Sequence, residues 1–131
     1  MSRDDGQSIV EFALTLPLIV LLMLGVLLVA EIGVARLTLE HAAAEAARTG
    51  ALTNDDGLVR GTAAAALSPL DPAKVSVEIV PKQNDPPRSS EPRGVLLRVR
   101  LHYPVPVPLG FVGLPRVIVG GEAARRIEWS P

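Results

Sequence analysis

The sequence predicts an α+β fold in which a long N-terminal transmembrane helix continues into a small antiparallel-sheet head. Three observations carry that expectation. Residues 12–30 contain no charged side chain. Apolar positions beyond residue 30 recur at alternating steps of four and three, the spacing of a helical stripe. The C-terminal half holds two stretches in which apolar and polar residues alternate, the period of half-buried strands.

The chain has 131 residues, enough for one small domain beside the apolar segment. Apolar residues make up 48% of it and aromatic residues only 3%. That aliphatic bias fits a membrane span better than a globular core. Thirteen basic residues against fourteen acidic ones leave a net charge of -1 with no basic cluster, which argues against nucleic acid as a partner. With no cysteine there is neither a disulfide framework nor a thiolate, so the head is held by packing alone.

The first element is a polar leader, residues 1–6, ending in Gly6. Apolar context begins at Ile9 and Val10, and Glu11 falls inside it, five positions after the glycine. An acid in a membrane helix costs about 2.5–3.5 kcal/mol and calls for a partner. Cleavage after Gly6 would place the new α-amino group of Gln7 one helical turn from Glu11, where amine and carboxylate offset each other's desolvation.

The span follows from Phe12 to Ala30, bracketed by Glu11 and Glu31. About 19 residues rising about 1.5 Å each cover about 28 Å, close to the hydrocarbon thickness of a bilayer. A cleavable secretory signal has a shorter apolar region and a basic leader, whereas here Arg3 faces Asp4 and Asp5. Pro17 and Gly25 interrupt the span. Both are ordinary in membrane helices, and Pro17 also marks a position where the helix can kink, because it frees the carbonyl of Ala13. Arg3 and Arg36 specify orientation weakly; an inside leader leaves the long C-terminal part outside.

Beyond the span, Leu28, Ile32, Ala35, Leu39, Ala42 and Ala46 form a thin coiled-coil-like stripe. It serves equally for packing on the protein's own sheet or on other helices along a filament. Arg36 and Glu40 stand at i,i+4 spacing. Gly50 and Thr53–Gly57 stop the helix, and Asp55 with Asp56 reads as a helix stop and cap. Residues 58–67 read as a short alanine-rich helix ended by Ser68–Pro72.

In the head, Val75, Val77 and Ile79 predict one strand, and Val95, Leu97, Val99 and Leu101 a second, paired as a hairpin around a mobile Pro-rich loop at 82–94. Pro104, Pro106 and Pro108 predict that the chain then leaves the sheet or follows its edge. Residues 116–119 and 123–129 supply one or two final strands. No catalytic or metal constellation is visible: His41 and His102 read as surface histidines with no Asp or Ser at a useful spacing. Arg98, Arg100, Arg125 and Arg126 read as a charged strand face before they read as a binding site.

The run Gly6-Gln-Ser-Ile-Val-Glu-Phe-Ala-Leu-Thr-Leu-Pro-Leu, continued by Ala35-Arg-Leu and His41-Ala-Ala-Ala-Glu-Ala-Ala-Arg48, resembles the TadE-like proteins of tight-adherence pilus systems, within the wider class of type IV pilins and pseudopilins. The resemblance covers residues 6–48 and implies a pilin-like fold and a minor pilin or pseudopilin that takes part in assembling an adhesive pilus. It implies prepilin-peptidase processing between Gly6 and Gln7, and a subunit-assembly role for Glu11 as the fifth mature residue. The expected organisation is a prepilin-type leader at 1–6, a long helix at 7–50 with its span at 12–30, a short helix and linkers at 51–73 and a β-rich extracytoplasmic head at 74–131. Expected partners are other pilins or pseudopilins, the prepilin peptidase and membrane lipid. No nucleic acid, small-molecule substrate, cofactor, metal or enzymatic activity is expected. The expected location is the bacterial cytoplasmic (inner) membrane in a single pass with the head outside, or the pilus at the cell surface. The alternative is an uncleaved bitopic protein whose head is a binding module.

Overall fold

The structure is a computed structural model that describes residues 3–107 and 116–131. Helix α1, Arg3–Thr53, runs unbroken for 51 residues, about 76 Å at the α-helical rise. Its two halves differ in environment. From residue 4 to residue 34 only Leu24, Leu28 and Ile32 are half-buried and all other side chains are exposed. From Ala35 onward one face is sealed: Ala35, Leu39, Ala42, Ala43, Ala46, Ala47 and Ala51 are buried.

That buried face is the stripe read from the sequence, and it lies against the protein's own sheet. Leu28 and Ile32 pack on the edge of the same core. Alanine suits the position because it costs no side-chain entropy in a helix and keeps the helix close to what it covers. The exposed flank carries the expected Arg36–Glu40 pair, Nε donating to Oε1 at 3.2 Å.

The helix ends where Asn54 takes a left-handed conformation, φ 52°, its N–H donating to the Gly50 carbonyl at 2.9 Å. Asparagine tolerates that conformation as a helix terminator. Asp55 then caps α2, Asp56–Ala65, by accepting from the N–H groups of Gly57 (2.8 Å) and Leu58 (3.3 Å). The cap read from the sequence is therefore present, and α2 starts two residues before the expected 58. Val59 and Ala63 turn inward from α2, and the Thr62 hydroxyl donates to Thr49 Oγ1 of α1 at 3.0 Å.

A three-stranded antiparallel sheet in the order β1-β2-β3 makes the second layer. β1 is Ser76–Val80, β2 Leu96–Pro106 and β3 Arg116–Arg126. The predicted hairpin is formed, with Ile79 opposite Val99, and Leu97, Val99 and Leu101 buried toward α1 while Leu96, Arg98 and His102 face out. The final stretch is one strand, since Gly120 and Gly121 stay paired with His102 and Leu101.

Of the two courses the prolines leave open, the chain follows the sheet edge: Pro104 and Pro106 stay in register with Ile118 and Arg116 of β3. β1 ends its pairing at Ser76–His102, so both prolines lie where β2 has a neighbour on one side only among the described residues, and a missing N–H is harmless there. Pro108 lies outside the described residues. The 82–94 loop, expected to be mobile, is pinned by a buried arginine. Arg88 has no exposed surface; its Nε donates to Asn54 Oδ1 at 2.7 Å, and its Nη1 to the Asp56 carboxylate and to the Pro81 carbonyl at 3.0 Å. Gln83 adds a reciprocal pair with Asp56, backbone to side chain in both directions at 3.0 Å.

The chain closes on the helix that opened it. After β3, the N–H groups of Glu128 and Trp129 donate to the Ala51 carbonyl at 2.8 and 3.1 Å, satisfying one of the carbonyls left without a partner at a helix C-terminus.

Candidate functional site: the exposed helix and its seat

No group of three or more His, Asp or Glu side chains that could hold a metal occurs among the described residues. His41 and His102 are both exposed, one on α1 and one on the outer face of β2. The four strand arginines do not form a basic face. Arg100 stands in register between Glu78 on β1 and Glu122 on β3, with contacts of 3.8 and 3.3 Å, and Arg98 reaches Glu122 at 3.6 Å. The outer sheet face is a ladder of compensated charge, as expected of an exposed strand surface.

The remaining candidate is the free half of α1. It is the one described helix long and apolar enough to cross a membrane, and none of its apolar window is buried by the rest of the protein. Ile9, Val10, Phe12, Leu14 and Leu18 each expose more than half of their surface. Such a length of uncovered aliphatic helix is at home in hydrocarbon and not in water.

Gly6, Gln7, Glu11 and Pro17 all lie on this free half, in continuous helix, and all four are exposed. A Cβ on Gly6 would meet nothing within 4 Å, so no packing within the subunit requires glycine there. Glu11 has no ion-pair partner among the described residues and sits between the exposed Val10 and Phe12. Its carbonyl accepts from the Thr15 hydroxyl at 2.7 Å, one turn before the proline. That bond is the threonine i−4 back-bond of a helix and leaves the Ala13 carbonyl, the one Pro17 frees, as it was.

The seat of the other half depends on a residue the sequence reading passed over. Gly121 faces α1, and a Cβ there would come within 2.6 Å of the Glu40 backbone nitrogen and 2.8 Å of Leu39 Cβ. The Gly120-Gly121 pair inside a strand was the available signal, since glycine in a strand marks a close backbone approach. Gly50, similarly, leaves no room for a side chain between Leu97 and Val59.

Comparison with known proteins bears on the same segment. No curated protein and no solved structure matches the chain. One protein family does: TadE-like proteins are structural, non-enzymatic components associated with the Tad pilus, which implies interaction with other pilus components and, with the apolar helix, a membrane-anchored protein. The model of the TadE-like protein family matches residues 6–48, so the part of this chain that holds Gly6, Glu11, the candidate span and most of the helix's seat is TadE-like.

Proposed function

We propose that this protein is a minor pilin or pseudopilin that takes part in assembling an adhesive tight-adherence pilus, after a prepilin peptidase removes residues 1–6. It resides in the bacterial cytoplasmic membrane with its head outside and passes from there to the pilus. The observation that supports this reading best is Glu11: an acid exposed at the start of a bare apolar helix, without an ion-pair partner among the described residues, inside the TadE-like segment. An uncompensated carboxylate in that position is costly, and a positive group from Gln7 or a neighbouring subunit offsets the cost.

The cut between Gly6 and Gln7 gives the carboxylate such a group. Helical continuity through residues 3–17 supports pairing at i,i+4, because the new amine and Glu11 then share one face. Pro17 acts as a weak point at which the helix bends when it packs beside other pilins.

N-terminal sequencing of the protein extracted from membranes of cells that hold an active prepilin peptidase tests the reading. A chain beginning at Gln7 supports it. A chain that retains Met1 overturns it and leaves an uncleaved bitopic protein with a binding head.

A further inference from the structure

The lower end of the head, where α1 leaves the sheet, carries an apolar groove that the core does not fill. It is lined by Ala30, Val34, Leu70, Tyr103, Val105 and Pro106, with Glu31 the one charged residue of the lining. Beside it is a second depression, bounded by Lys74, Pro104, Pro106 and Arg116. Neither cation has an ion-pair partner among the described residues. The nearby carboxylates are Glu31 and Asp71, and Asp71 is occupied in capping the turn at Pro72–Lys74, where it accepts from the Ala73 N–H at 3.0 Å.

The height of this end above the membrane follows from the helix itself. The groove touches α1 between Ala30 and Ala35, the last residue of the span and the five that follow. At about 1.5 Å per residue the groove lies at most about 8 Å beyond the hydrocarbon edge. The headgroup layer is about 5–8 Å thick on each side, and tilting the helix toward the groove brings it lower still. Water alone therefore does not cover it.

We propose that the membrane-proximal end of the head is a lipid-docking surface for anionic phospholipid of the bilayer that holds the span. Acyl and glycerol groups enter the groove beside Leu70, Tyr103 and Val105, and a lipid phosphate meets Lys74 and Arg116. Tyrosine is suited to this depth, with an apolar ring and a polar tip. Juxtamembrane cations gain from anionic headgroups in the same way. The head then rests on the membrane before assembly instead of swinging on its helix. This inference rests on residues 12–30 spanning the membrane.

The absence of cysteine allows a direct measurement. Single-cysteine variants of the full chain, Leu22→Cys in the span, Ser68→Cys beside the groove and Ser90→Cys at the far end of the head, are labelled with a fluorophore. They are reconstituted in phosphatidylcholine–phosphatidylglycerol vesicles in which the phosphatidylcholine is brominated. Quenching at positions 22 and 68 several-fold above that at position 90 supports the docking surface. Quenching at 22 alone, with 68 matching 90, overturns it and leaves the anchor intact. No quenching at 22 overturns the anchor and the docking surface together. In wild-type background the signal at 68 falls when phosphatidylglycerol is omitted; the combined Lys74→Glu and Arg116→Glu change removes that dependence without altering the signal at 22. A dependence that survives the double reversal overturns the assignment of the phosphate contact.

Discussion

Gly121 of β3 lies directly under Leu39 of α1, so close that a Cβ on the glycine would stand 2.8 Å from that of the leucine. A backbone nitrogen and carbonyl carbon of the helix lie nearer still, at 2.6 Å, and neither can yield as a flexible side chain does. Gly121→Ala is therefore expected to destabilise the head by about 1–3 kcal/mol through overpacking. Its neighbour supplies the control: a Cβ on Gly120 meets nothing closer than His102 Cδ2 at 3.5 Å, an ordinary contact. Urea unfolding of both variants in detergent, followed by the single tryptophan, Trp129, which packs against the core, measures the difference. Equal stability of the two variants contradicts the close approach.

The alanine face of α1 predicts a second contrast. Ala46 is fully buried against the sheet, whereas Ala44, two residues away, points outward. Ala46→Leu should lift the helix from the sheet at a cost of about 1–3 kcal/mol. Ala44→Leu should stay within about 0.5 kcal/mol of wild type in the isolated subunit. Thermal unfolding of the two proteins checks this, and a large loss from Ala44→Leu would show that the helix is rotated from the orientation described.

Periodicity revealed the stripe on α1 but not its partner, because a sheet and a neighbouring helix ask for the same spacing of small apolar residues. The partner was hidden in Gly121, which enters the packing through what it lacks. Arg88 was hidden for a different reason. An arginine in a Pro-rich polar loop has the composition of a solvated segment, and its acceptors, Asn54 and Asp56, lie more than thirty residues earlier. Local reading sees a helix stop at one place and a loop at another. The prolines of β2 left two courses open, because ladder bonds are lost only where a neighbouring strand exists and the length of β1 is not written within β2. Strand period, helix caps and the span are local properties, and those were legible.

Removing Arg88 should open the loop that it pins. Arg88→Met keeps much of the volume but leaves the Asn54 oxygen and Oδ1 of Asp56 without the arginine donor, while Asp56 Oδ2 keeps the Gln83 N–H. Breaking a buried pair from one side costs about 3–5 kcal/mol, and the partial exposure of Asp56 places the expected loss near the lower end. Limited proteolysis should show new cleavage within 82–94 together with the loss of stability. Unchanged protection of the loop would mean that Gln83 and its bonds to Asp56 suffice to hold it.

Arg100 makes the opposite prediction although it has two acidic neighbours. Its side chain and those of Glu78 and Glu122 are each more than a third exposed, so water and salt screen their attraction. Arg100→Gln is expected to cost no more than about 0.5 kcal/mol. The residual effect should vanish in high salt, measurable as converging urea midpoints for variant and wild type. A salt-independent loss of several times that size would mean that the ladder acts through packing of the arginine stem.

The last prediction concerns Glu11, where the consequence is in assembly and not in folding. Its side chain is exposed and makes no ion pair among the described residues, so Glu11→Lys leaves the unfolding transition of the soluble part unchanged. Insertion should also survive, because the charge-free stretch from Phe12 to Ala30 is untouched and a lysine at its border snorkels to the headgroups. With the proposed cut after Gly6, what is lost is the attraction between residue 11 and the amino group of Gln7, which becomes a pair of positive charges on one helical face. Membrane fractionation should find the variant at wild-type levels while pili at the cell surface disappear. Glu11→Gln, which removes the attraction without adding repulsion, should fall between the two. Normal pili with Glu11→Lys would show that the carboxylate has no part in subunit packing, and the cost of keeping an acid at that border would need another explanation.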